Sequence, residues 1–317
     1  LLPAPMRQQM LEVQARVKVT EYESAYVTTA WLDKNQNILS ETGRTRMSGY
    51  ALVTGISSSQ RAVAFLPGYR IQSFLEAEYD DKNFQGIDRF RSVDFDRDWS
   101  VSTNATAPPA NDRFLRSGIT LEKQGSDNQF NYRLSLRDRK GMLSGTQHTA
   151  NWLQQIGKVK LEGSGFSMNS AQGQYLADWK RLDAGISLLL PGVVPGYTYR
   201  MNRNTMSLSR NDSLVSSAMN FREHYFSLRN AVGATQEYQL SHSIREDEVP
   251  SLGEMHRATL ARTSQLMLKR AVGAQQVNAV FTFRQVDNLQ ALATKREESL
   301  TGRLDWQGSW LKKVLRS

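Results

Sequence analysis

The sequence predicts an all-β protein, a long antiparallel meander of hairpins that forms part of a large β-barrel or of an extended sheet or sandwich assembly. Three observations predict it. Apolar and polar residues alternate with period two over several long segments, turn-forming clusters separate those segments, and helical periodicity is scarce. Alternation puts one residue set on each face of a half-buried strand, whereas a parallel sheet covered by helices shows continuous apolar runs.

The opening PAPMRQQMLEVQ offers room for a short helical turn. Val13, Ala15, Val17 and Val19 then alternate with Gln14, Arg16 and Lys18. Turns are expected at DKNQN (33–37) and SSSQ (57–60). The next strand runs through Ile71, Ser73, Leu75, Ala77 and Tyr79, and the turn DDKNFQG (80–86) follows. In DRFRSVDFDRDWSVS, residues 88–102, Asp94, Asp96 and Asp98 alternate with Val93, Phe95, Arg97, Trp99 and Val101. A strand is expected over Val93 to Val101, with Phe95 and Trp99 on its apolar face and the Arg97 stem along them. STNATAPPAND (102–112) is small, polar and proline-bearing and reads as a loop or linker. Phe130, Tyr132, Leu134 and Leu136 mark a strand after the turn GSDNQ (125–129), and PGVVPG (191–196) marks another turn. GEMHRATLARTSQLMLKRAV (253–272) is rich in helix formers, yet Ala258, Leu260, Ser264, Leu266 and Leu268 share one parity, and a strand is expected. The last strand follows Leu300, Gly302, Leu304, Trp306, Gly308 and Trp310. Residues 1–317 thus read as one continuous antiparallel β region, as a fragment of a larger protein.

Composition narrows the function classes. The chain has 317 residues and a formal charge of +9, and a basic balance suits acidic partners. There is no cysteine, which excludes disulfides, thiolate metal sites and thiol catalysis. No apolar run reaches the roughly 18 residues of a transmembrane helix. The four histidines, His148, His224, His242 and His256, have no metal-ligand spacing, and His242 reads as a packed or interface residue. Gly163-Ser164-Gly165 does not match a nucleophile elbow, and no phosphate-binding glycine loop occurs. The aromatics share parity with aliphatics, as a core face requires, so nucleic acid is not an expected partner.

The three aspartates lie too far apart along a straight strand, about 6.6–7 Å per two residues, to share one calcium ion. An arginine-bearing neighbour is the expected partner, and Arg133 and Arg137 have the right parity. Arg97 and Arg262 interrupt apolar parities. Mid-bilayer arginine on a lipid face costs about 2–4 kcal/mol, so these residues belong near a membrane surface or against protein.

KNFQGIDRFRSVDFDRDWSV (82–101), EYESAYVTTAWLDKNQN (21–37) and KREESLTGRLDWQGSWLKKVLRS (295–317) resemble segments of large, strand-rich, largely uncharacterised outer-membrane proteins of Bacteroidota. The resemblance implies a Gram-negative envelope location and no known enzymatic activity, and it supplies no functional residues. Asp212-Ser213-Leu214 resembles the O-glycosylation acceptor pattern of that group, with Ser213 as acceptor.

The expectation is a non-enzymatic structural protein of the outer membrane or cell surface, without cofactor or metal. Its partners would be the remainder of a larger chain, other envelope proteins, or outer-membrane lipid. The alternatives are a soluble envelope module that binds acidic glycan or lipopolysaccharide through Arg97 and Arg262, and, third, a polysaccharide-acting enzyme.

Overall fold

The computed structural model describes all residues except 1–4, 36, 39–45, 85–94, 101–108, 218–219, 231–235, 252, 274, 291–294, 311–314 and 317. The described residues are all-β. The strands are β1 (Arg7–Lys18), β2 (Glu23–Asn35), β3 (Arg46–Ala62), β4 (Tyr69–Asp80), β5 (Asp112–Lys123), β6 (Gln129–Arg139), β7 (Leu143–Ile156), β8 (Val159–Gln172), β9 (Tyr175–Leu188), β10 (Val194–Leu208), β11 (Leu214–Ser217), β12 (Asn220–Arg229), β13 (Gln236–Ser251), β14 (Glu254–Val272), β15 (Gln275–Asn288), β16 (Lys295–Trp310) and β17 (Leu315–Arg316). A 3-10 turn, Arg97–Trp99, interrupts the connection from β4 to β5. The expected antiparallel meander is therefore present.

Two elements differ from expectation near the start. PAPMRQQMLEVQ holds no helical turn among its described residues; β1 begins at Arg7 and pairs with β2 from Arg7↔Asn35 to Lys18↔Ser24. SSSQ (57–60) is not a turn but lies inside β3, where a register shift between Ser58 and Arg61 absorbs an extra residue. The chain reverses only after Ala62, with Gly68 at φ +81 in a conformation that glycine adopts without a Cβ clash. The 253–272 segment is strand β14, as its parity predicts.

Contacts divide the chain into two compact units. One comprises Leu1–Ala150, Phe166–Asp178 and Leu208–Asn211; the other comprises Asn151–Gly165, Trp179–Ser207 and Asp212–Ser317. In the first unit, β1 to β6 form successive antiparallel pairs in chain order. In the second, β10 pairs with β12, and β12 to β16 continue pairwise.

Each unit has one apolar and one polar sheet face, because opposed residues in an antiparallel register share a face. In the first unit, register aligns Leu11 with Trp31, Trp31 with Tyr50, Ile56 with Leu75, and Leu115 with Leu136. The other parity carries Tyr26, Glu76, Glu78, Asp112, Arg116 and Arg137. In the second unit, Leu240 aligns with Leu266, Leu266 with Phe281, and Phe283 with Leu300. Gln239, Ser241, Gln265, Asn278, Thr282 and Arg303 take the opposite parity.

Candidate functional site

Burial is inverted between the two faces of the first unit. Phe114 and Arg137, among its most enclosed side chains, lie on the polar face against the segment from Phe95 to Ser100. That segment is not the expected strand. Phe95 and Asp96 form a turn, Arg97–Trp99 a 3-10 turn, and Ser100 ends it at φ 55. Val93, Asp94 and Val101 fall outside the described residues. The physical reason is local. Aspartate is depleted in strands and readily stabilises turns, so period-two spacing in DFDRDWS does not outweigh its composition.

The turn is held by a buried arginine from β6. The Arg137 side chain is 2% exposed. Its Nη2 donates to Asp112 Oδ2 at 2.8 Å, and its Nε contacts both oxygens of the same carboxylate at 3.2 Å. The guanidinium carbon lies 4.8 Å from the ring centre of Phe95, 5.2 Å from that of Phe114 and 5.8 Å from that of Trp99. Asp96 Oδ1 stands 3.0 Å from Arg137 Nη2 but makes no well-angled hydrogen bond, and its side chain is half exposed. Trp99 is 2% exposed. Ser170 Oγ donates to its carbonyl at 3.1 Å, and Gln147 Nε2 donates to the Asp98 carbonyl at 3.2 Å. Gly145 makes this docking possible, since a Cβ there would sit 3.1 Å from the Trp99 ring and 2.9 Å from the Asn169 carbonyl oxygen.

The cluster continues across the polar face. Arg116 stacks on Phe114 at 4.8 Å and pairs with Glu76 at 2.9 Å and Glu78 at 2.5 Å. Tyr26 donates to the second oxygen of Glu76 at 2.6 Å. Such an arrangement fastens a segment to a sheet by paired charges and stacked guanidinium groups.

The opposite face of this unit is exposed and free of charge over most of its length. Leu11–Val17, Ala25–Trp31, Tyr50–Ser58, Ile71–Tyr79, Leu115–Leu121 and Phe130–Leu136 contribute only uncharged residues at the shared parity. Trp31 is 64% exposed and Leu75 51%. Charge returns at the ends of the band. Arg46 donates two bonds to Asp33, at 2.8 and 3.0 Å, beside Trp31, while Arg61 and Glu23 lie 4.0 Å apart at the other end. The second unit repeats the design. Tyr238–Ile244, Ser264–Leu268, Val277–Phe283 and Leu300–Trp306 form an uncharged exposed parity. His242 lies in it, half-buried, with Nδ1 2.9 Å from Ser264 Oγ on the next strand.

Arg262 marks where that band stops. Its Nη1 lies 2.9 Å from Asp287 Oδ2, and Arg296 Nε lies 2.8 Å from the other Asp287 oxygen. These two donors, Arg296 first, hold the Asp287 carboxyl below its ordinary value. Beyond Arg262 on this face come Glu298, bonded by Gln285, and Glu246 and Glu248, both paired with Arg222.

The expected aspartate–arginine contact thus exists through Asp96 and Arg137. Phe95 and Trp99 are packed, but on the polar face and against Arg137, not on an apolar strand face along the Arg97 stem. Arg97 sits in the exposed part of the turn. Asp98 contributes its carbonyl to the docking. Ser213 lies in the connection between β10 and β11, after Asp212 at φ 54. Sequence reasoning missed Asp112, Phe114 and Arg116. Their shared parity in DRFLR was a usable signal, because three bulky polar or aromatic residues on one strand face mark a built face.

No protein-family model matches the chain. No curated protein matches it either.

Proposed function

We propose that this chain is a non-enzymatic structural β-sheet protein of a Gram-negative outer membrane, and that the uncharged sheet face of each unit contacts lipid. One observation carries the reading. In both units the exposed face is apolar and charge-free over a limited height, while the opposite face holds the charged and amide side chains. That is inside-out for a water-soluble sheet and matches the apolar-out, polar-in alternation of transmembrane strands. The nine residues from Ile71 to Tyr79 suit the height, because a membrane-crossing strand needs about 9–11 residues at a tilt near 45°.

Magnitudes favour lipid over water as the solvent for this face. Monomeric soluble proteins rarely expose contiguous apolar patches above a few hundred Å², and six adjacent strands with side chains such as Trp31, Leu75 and Leu115 exceed that scale. The absence of charge within the band has a direct cause in lipid, where an arginine at mid-depth costs about 2–4 kcal/mol. The position of Arg262 at the band's end, neutralised by Asp287, agrees with the same rule. Its commitment to Asp287 also leaves it poorly suited to capture an acidic ligand.

The test is co-flotation of the whole protein with phospholipid vesicles in a density gradient containing high salt. Flotation that survives high salt is expected from apolar insertion. Recovery at the bottom of the gradient, as a monodisperse protein without detergent, would sink the proposal.

A further inference from the structure

The two ends of the second unit's sheet differ. At one end the strands run only a little past the apolar band, with Arg270 at its edge. β14 turns into β15 between Val272 and Gln275, with Gly273 at φ 58, and Tyr238 and Trp306 stand on the band there. The turn between β9 and β10 at the same end is closed by a Leu190↔Val193 bridge with Gly192 at φ 81. At the other end the strands run on. β13 leaves the band after Ile244 and continues to Ser251, and β14 returns from Glu254.

From the sheet geometry we infer the orientation: the end bearing Ser251–Glu254 projects beyond the membrane to the cell exterior, and the Val272–Gln275 end lies at the inner, periplasmic surface. The inference rests on the membrane reading above. From Arg245 to Ser251 the strand adds about 20 Å. A tilt near 40° leaves about 15 Å of height, more than the roughly 5–8 Å of one headgroup layer. The β13 segment that leaves the band carries charge on both faces, as water on both sides requires. Arg245, Glu246, Asp247 and Glu248 are four consecutive charges, and consecutive strand residues point to opposite faces. Cross-strand charge pairs help to hold this part together. Arg257 Nε lies 2.6 Å from Glu246, and Arg262 and Arg296 share Asp287. At the opposite end, aromatic side chains flank tight turns, as in interfacial girdles. Barrel strands of outer membranes have short periplasmic turns and longer exterior extensions, and this asymmetry sets the direction.

The same geometry assigns Ser213 to the exterior end. Leu214 N donates to the Gly253 carbonyl at 3.3 Å, and a Cβ at Gly253 would stand 3.2 Å from Ser213 Oγ. The connection bearing Ser213 therefore packs on the β13–β14 turn.

These 317 residues contain no cysteine, so each introduced thiol is the single one among them, and the unsubstituted protein sets the labelling background. Ser251→Cys and Gln275→Cys both fall at exposed positions at strand ends, next to the turns. The whole protein carrying each change is expressed in a Gram-negative cell and treated with a membrane-impermeant maleimide before and after permeabilising the outer membrane. The Ser251→Cys thiol should label fully on intact cells, and the Gln275→Cys thiol only after permeabilisation. The reverse pattern overturns the orientation and leaves the membrane reading standing. Recovery of both variants in the soluble fraction overturns both.

Discussion

Arg137 concentrates the largest single-residue effects in the first unit. Its charge is enclosed, and the compensation comes mainly from Asp112, with only 12% of that side chain exposed. Removing one partner of a buried pair leaves the other charge uncompensated, which typically costs about 3–5 kcal/mol. Arg137→Met should therefore destabilise by about that amount in urea titrations, and the double change Arg137→Met/Asp112→Leu should recover much of it, since apolar replacement of a whole buried pair is often neutral. Asp96→Asn should cost under about 1 kcal/mol, because its contact is half exposed and poorly angled. Trp99→Ala removes a ring that is 2% exposed and should cost about 3–5 kcal/mol. If Asp96→Asn proves more damaging than Trp99→Ala, the anchoring role assigned to the aromatic is wrong.

At the level of strands, the two faces of β4 make opposite predictions from adjacent residues. Leu75 lies in the middle of the uncharged band, and Glu76 faces Arg116 and Tyr26. Leu75→Arg should cost about 2–4 kcal/mol when the protein is refolded into vesicles, and almost nothing if water solvates that face. The hairpin end of β14 to β16 carries a pH dependence. The Asp287 carboxyl is held below its ordinary 3.8 by Arg296 and Arg262. A depressed folded value contributes stability that is complete above the ordinary value and is lost as pH falls through it toward the folded value. Protection of the β15 and β16 amides against exchange, relative to the intrinsic rate, should therefore fall below about pH 4, and Asp287→Asn should remove that acid-dependent step. These elements also show what the sequence carried. The strands were legible wherever apolar parity was sustained, as in β14, because register and burial reinforce alternation. The turn at 95–100 was not, because its fold depends on Arg137 and Asp112, which lie outside its own window. The polar-face cluster was half legible: parity named Arg137 as a partner for the aspartates but not the aromatic stack around it.

Across the whole molecule, four of the six tryptophans divide between uncharged and enclosed positions, and that makes the lipid reading measurable. Trp31 and Trp306 stand on the uncharged faces and are 64% and 47% exposed. Trp99 is sealed under Arg137, and Trp179 is buried with its indole N–H donated to Asn202 Oδ1 at 2.8 Å. Trp and Tyr favour membrane interfaces, where an apolar ring and a polar tip each find their solvent. Trp31 fits that position, since the Asp33–Arg46 pair next to it marks the charged limit of the band. In vesicles of lipids brominated near the headgroup, emission from Trp31 and Trp306 should be quenched, and emission from Trp99 and Trp179 should not. The double change Trp31→Phe/Trp306→Phe should remove most of the lipid-quenchable fraction while leaving the fold intact, because neither ring is enclosed. Acrylamide, a water-borne quencher, should reach the same two residues in detergent-free solution and lose them once vesicles are present. If bromolipid leaves Trp31 and Trp306 bright while acrylamide still reaches them with vesicles present, the uncharged faces meet water or protein, and the membrane assignment falls with its orientation.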